Sequence, residues 1–127
     1  MKKVLKPNGL LIIETPNSND SLLTKYKSLN FSNFTYWSHH PMVHSNYSLH
    51  CLVESSGYEV VLNSGAQRYD LNNTLYWLAM GKPGGHSTWK NYISSETSAK
   101  YAEDLISQGL SDTIWLIAQN TNNELPR

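Results

Sequence analysis

The amino-acid sequence predicts a layered α/β fold, and three observations predict it. Leu10-Leu11-Ile12-Ile13 is apolar on both faces with no alternation, the pattern of an interior strand in a parallel sheet covered by helices on both sides. Residues 45–62 read as helix, glycine, strand with a tight connection, which is an αβ step of such a fold. Thr113-Ile114-Trp115-Leu116-Ile117-Ala118 reads as a further apolar strand near the end of the chain.

Size and charge set the limits. The chain has 127 residues, 39% of them hydrophobic, enough for one domain with a core that buries roughly two-thirds of the unfolded surface. Residues 1–120 are expected to form that domain and 121–127 a frayed polar tail. Ten basic residues balance ten acidic ones, which argues against a nucleic-acid binder, since that function needs a basic face. No apolar run reaches the roughly 18–20 residues of a membrane span, and the start is not a signal peptide. The lone Cys51 excludes an intrachain disulfide framework and fits a reducing compartment, so a cytoplasmic location is expected.

The elements follow in order. Lys6-Pro7-Asn8-Gly9 is a turn into the first strand, which Glu14-Thr15-Pro16-Asn17 ends, and Val4-Leu5 would be the tail of a preceding helix. Residues 21–26 suit a short helix capped by Asn19 or Asp20. Phe31, Phe34, Tyr36 and Trp37 then crowd into a polar loop ending in His39-His40-Pro41, where aromatics pin a loop to the body or line a pocket. Ser45 is an N-cap for a helix with Leu49, Leu52 and Val53 on one face, and Gly57 stops it before Tyr58-Glu59-Val60-Val61-Leu62. Asn73 would cap a short helix through Leu75, Trp77 and Leu78, ended by Gly81 and Pro83. A further helix begins near Ser94 or Ser95, carries Tyr101, Ala102, Leu105 and Ile106 on one face, and ends at Gly109. The resulting three strands expose long apolar edges, so the chain reads like part of a larger sheet.

Candidate chemistry is sparse. His39, His40 and His44 lie within six positions, yet Pro41 disfavours helix at His40 and no cysteine or carboxylate pair stands nearby, so a metal site is not expected. A pocket histidine acting as base and a loop histidine without chemistry stay open as alternatives. Gly81-Lys82-Pro83-Gly84-Gly85 has a proline where a phosphate loop needs a helix start, and reads as a helix stop with a turn. Cys51, inside a helix without a facing partner, reads as a core residue. Glu14-Thr15-Pro16-Asn17 follows a buried strand, which places it at the ligand-binding rim of an open parallel sheet or in an ordinary strand-end turn.

The string Val4-Leu5-Lys6-Pro7-Asn8-Gly9-Leu10-Leu11-Ile12-Ile13-Glu14-Thr15-Pro16-Asn17 resembles the fifth-strand region of class I S-adenosylmethionine-dependent methyltransferases, with Asn8 in place of the commoner glycine. The resemblance runs on through His44-Ser45, Leu49, Leu52 and Gly57-Tyr58-Glu59-Val60-Val61, similar to the family's helix E and sixth strand. It continues through Arg68-Tyr69, Leu75-Tyr76-Trp77-Leu78 and Gly81-Lys82-Pro83-Gly84-Gly85, and ends at Asp112-Thr113-Ile114, similar to the seventh strand. It implies the C-terminal part of a Rossmann-like methyltransferase sheet, strands five to seven with flanking helices. The family's glycine-rich cofactor turn and ribose-binding acid have no counterpart in this sequence. The implied role is therefore the acceptor-side half of an enzyme methylating a small molecule or a sugar or polysaccharide precursor, inactive alone.

By position in that family, Glu14, Asn17, Tyr36, Trp37 and His39 are expected at the substrate rim, with His40 or His44 as a catalytic base. S-adenosylmethionine is the family's cofactor, and none is expected to bind this chain in isolation. The expected partner is the missing N-terminal half or a second copy of the chain. The alternative is a non-enzymatic remnant that self-associates or pairs through an exposed sheet edge.

Overall fold

The computed structural model describes residues 5–37 and 42–121. In chain order the elements are β1 (Leu10–Pro16), α1 (Ser21–Thr24), α2 (Leu29–Thr35), α3 (Asn46–Ser55), β2 (Tyr58–Ala66), α4 (Leu71–Met80), α5 (Gly85–Thr88), α6 (Ser95–Ser107) and β3 (Thr113–Asn120). The sheet order is β1-β3-β2, with β3 antiparallel to both neighbours. β1 and β2 therefore run parallel to one another, with helices in the connection between them and the last strand inserted in the middle.

The core sits on one face of this sheet. Ile114, Leu116 and Ala118 are fully buried on alternate positions of β3 and meet Leu49 and Val53 of α3 and Tyr58 of β2. Leu5, Leu11, Ile13 and Val60 pack around them. Burying each large aliphatic side chain contributes about 1.5–3 kcal/mol, so this face supplies most of the cohesion. α3 is held in register by its caps. Ser45 Oγ accepts from Ser48 N–H, Ser48 Oγ accepts from Ser45 N–H, and the side-chain amides of Asn46 and Asn63 tie α3 to β2 at 2.8 Å.

The opposite face is open. By strand alternation and register it carries Leu10 and Ile12 of β1, Trp115 and Ile117 of β3, and Leu62 of β2. Four of these are largely exposed: Leu10 55%, Ile12 61%, Leu62 44% and Trp115 42%. This corrects the expectation for residues 10–13. β1 is an edge strand with an antiparallel neighbour, half-covered, and not an interior strand of a parallel sheet. Its apolar composition is real, but among the described residues nothing covers the second face.

Other expectations change locally. Leu5 is not helical; it lies in a bend and packs under the core, while Val4 lies outside the described residues. Phe31 and Phe34 sit on a helix, α2, and not in a loop, because Ser28 accepts from Phe31 N–H and starts a turn that the polar composition hides. The N-cap of α4 is Asp70 rather than Asn73, which is buried inside the helix. Cys51 is exposed, since the buried stripe of α3 is Leu49 and Val53; Leu52, expected on that stripe, is also largely exposed. Gly81 does end α4, in the left-handed conformation at φ 63°. No helix among the described residues is long and apolar enough to cross a membrane.

Candidate functional site

A cavity of about 830 Å³ opens where β1 and β2 end and β3 begins, within the range of small-molecule sites. β1 contributes Glu14, Thr15 and Pro16, the stretch after β2 contributes Gln67, Arg68 and Tyr69, and the entry to β3 contributes Asp112 and Thr113. Helices close the far side. α2 and the residues after it bring Phe31, Phe34 and Trp37, α4 brings Asn73, Thr74 and Trp77, the α4–α5 connection brings Pro83 and Gly84, and α5 brings His86.

The aromatic wall is built as a unit. Phe31 meets Trp77 edge-on with centroids 5.0 Å apart, and Phe34 lies 5.2 Å from the same indole. These are favourable aromatic geometries, and they lock α2 against α4. Behind the wall, Tyr101 of α6 donates to Thr74 Oγ1 at 3.2 Å, and burial raises its phenol above the ordinary value.

The polar wall is also ordered. The Asp112 carboxylate accepts N–H bonds from Arg68 at 3.0 and 3.1 Å and from Tyr69 at 2.9 Å, while Gln67 Oε1 accepts from Asp112 N–H at 3.0 Å. These bonds fasten the end of β2 to the start of β3. The Arg68 guanidinium reaches across to Glu14 Oε1 at 2.7 Å, a pair open enough to water to add little stability but well placed to orient both side chains at the cavity mouth. Asp20 lies deeper. It caps α1 by accepting from Leu22 N–H at 2.7 Å and is only 5% exposed. Burial pushes its carboxyl up to about 7, with the Asp112 charge adding to the rise and the Leu22 bond opposing it.

Of the residues expected at the rim, Glu14, Asn17 and Trp37 come together on this cavity. Asn17 is 1% exposed, and its side chain is committed to the backbone. Its amide donates to Gly109 O at 3.2 Å and Ser111 O at 2.8 Å, and its Oδ1 accepts from Asn19 N–H at 3.0 Å. Tyr36 caps the end of α2 outside the lining. His44 bridges to Asn17 through the backbone, and its Nδ1 lies 3.3 Å from Ser48 Oγ, again outside the lining. His39 and His40 lie outside the described residues. Sequence reasoning misses Asp20 and Asp112 as site residues. Asp20 is visible there only as a helix cap, and Asp112 only as the start of a strand.

Comparison with known proteins finds no matching family model, no matching curated protein and no matching solved structure. The site stands on its own chemistry. Among the described residues no group of three or more His, Cys, Asp or Glu side chains is arranged to hold a metal ion. The turns after β1 and β2, Asn17-Ser18-Asn19 and Gln67-Arg68-Tyr69, carry no glycine run to admit a nucleotide-like cofactor against the backbone. What the cavity offers is an aromatic wall facing fixed carboxylates, suited to a small organic molecule.

Proposed function

We propose that this chain is the acceptor side of a Rossmann-like methyltransferase domain, with the cavity as the pocket for the small molecule or sugar-type precursor to be methylated. The observation that carries the reading is the cavity's place outside the carboxyl ends of β1 and β2, two strands that run parallel, where open α/β sheets bind their ligands. The ordered resemblance of residues 4–17, 44–61, 68–85 and 112–114 to such enzymes supports it. So does the open apolar face of the sheet, which suits a domain whose remaining strands and helices come from another segment. In this reading the chain alone is inactive, the cofactor is held elsewhere, and the lone cysteine points to the cytoplasm.

A second reading is favoured by that same face. Leu10, Ile12, Leu62 and Trp115, beside an edge of β1 that no strand pairs among the described residues, suit a remnant that self-associates.

Calorimetric titration of S-adenosylmethionine, with molar mass measured by light scattering on the same sample, tests both. The expected result is no binding by the isolated chain. Binding at micromolar affinity overturns the acceptor-side reading, because the cofactor site would then be in this chain. Without binding, a stable dimer supports the remnant, and a species that remains monomeric supports the half-domain.

A further inference from the structure

The charges around the cavity do not balance, and the imbalance is at Asp20. The charged and titratable groups on the lining beside it are Glu14, Arg68, Tyr69, His86 and Asp112. Among the described residues Arg68 is the one Lys or Arg of that lining, and its guanidinium is held by Glu14 at 2.7 Å. Asp112 accepts three N–H bonds from Arg68 and Tyr69. Asp20 is different. Its Oδ1 accepts from Leu22 N–H, no Lys, Arg or His pairs with it among the described residues, and the residue is buried against the cavity, 5% exposed. A carboxylate in that position lacks a counter-cation. Within the same cavity stand the faces and edges of Phe31, Phe34 and Trp77, and aromatic faces attract organic cations.

We propose that the cavity takes a small molecule carrying an apolar or aromatic body and a protonated amine, with the body against the Phe31–Phe34–Trp77 wall and the ammonium on Asp20. The inference rests on the acceptor-pocket reading and narrows it to amine-bearing acceptors. An anionic ligand is disfavoured, because the lining's single guanidinium is already paired. The burial that raises the Asp20 carboxyl to about 7 fits the same picture, since a bound ammonium would favour the ionised form and release a proton at neutral pH.

The test uses three probes of one shape: phenethylammonium chloride, phenethyl alcohol and phenylacetate. Each is titrated into the full chain at pH 7, with binding followed by tryptophan fluorescence (Trp37 and Trp77 line the cavity) and by calorimetry in two buffers of different ionisation enthalpy. The expected result is that the ammonium binds at least about tenfold more tightly than the alcohol. It should release protons on binding, and phenylacetate should bind weakest. Asp20→Asn keeps the helix cap and should bring ammonium and alcohol to equal affinity. Equal binding of ammonium and alcohol to the parent chain overturns the inference while leaving a small-molecule pocket in place. Tighter binding of phenylacetate overturns it as well. If none of the three binds, the inference falls, while the acceptor-pocket reading, which also covers sugar-type precursors, is judged by the S-adenosylmethionine titration.

Discussion

Asp20 is the residue that joins stability to the site. Its folded-state carboxyl rises from 3.8 to about 7 because burial disfavours the charge. The native state therefore holds the proton more tightly than the unfolded chain does. The stability this contributes is full below about pH 4 and is lost as pH rises through about 7. Its upper bound is on the order of 4 kcal/mol, the free energy of holding that proton more tightly by such a margin. Asp20→Asn retains an oxygen for Leu22 N–H and removes the charge. The variant is therefore expected to be close to the parent at pH 4 and more stable than the parent at pH 8. Urea midpoints at both values check this, and a difference independent of pH would refute it. The sequence offers Asp20, with Asn19, as a cap because capping is local chemistry, read within three residues. Its burial arises from distant parts of the chain that close over it, which no local pattern records.

Among the elements, helices with a cap and a stop are legible in the sequence, and helices lacking an apolar stripe are not. Ser45 to Gly57 and Ser94 to Gly109 can be placed within a residue or two, because cap and left-handed glycine agree, although Leu52 and Ile106, expected on the apolar faces, are exposed. α2 escapes such reading because its sequence, Leu-Asn-Phe-Ser-Asn-Phe-Thr, is half polar and rich in loop-forming residues, and the Ser28 cap is joined by packing of Phe31 and Phe34 on Trp77, which no local pattern records. The glycine-rich run after α4 reads as a stop, and packing gives one of its glycines a second duty. A Cβ on Gly85 would lie 2.8 Å from the Asn73 Cα and closer still to Tyr76, so α5 can approach α4 only without a side chain there. Gly85→Ala is expected to cost about 1–3 kcal/mol by overpacking against backbone. Gly109 makes the comparison, since nothing stands within 4 Å of its Cβ position and only its φ of 70° opposes a side chain. Gly109→Ala should cost about 1 kcal/mol. Thermal unfolding of both variants checks the order. Gly85→Ala should also weaken ligand binding, because Gly84 and His86 line the cavity, whereas Gly109→Ala, which reaches the cavity only through the Asn17 amide on its carbonyl, should weaken it less.

For the sheet and everything packed on it, residues 10–13 hold the main lesson. Their composition announces a strand that wants cover on both faces, and helices on both sides follow from it as an expectation. The structure supplies cover on one face only, with Leu10 and Ile12 on the other 55% and 61% exposed. Pattern reading reports what a strand's surfaces require. It does not report whether this chain meets the requirement or which way the neighbour runs. An open apolar face beside an unpaired edge is costly in water and invites association. Sedimentation velocity over a rising concentration series should therefore show the parent chain moving from monomer to larger species. Ile12→Lys places a charge at the centre of the face and on the edge strand, where lysine blocks pairing. Because Ile12 lies outside the Ile114–Leu116–Ala118 core, the variant should keep the parent's circular dichroism and melting behaviour. It should remain monomeric at concentrations where the parent associates. A parent that stays monomeric throughout the series would refute self-association and leave the half-domain reading standing, and a variant that associates equally well would show that copies of the chain do not meet through this face.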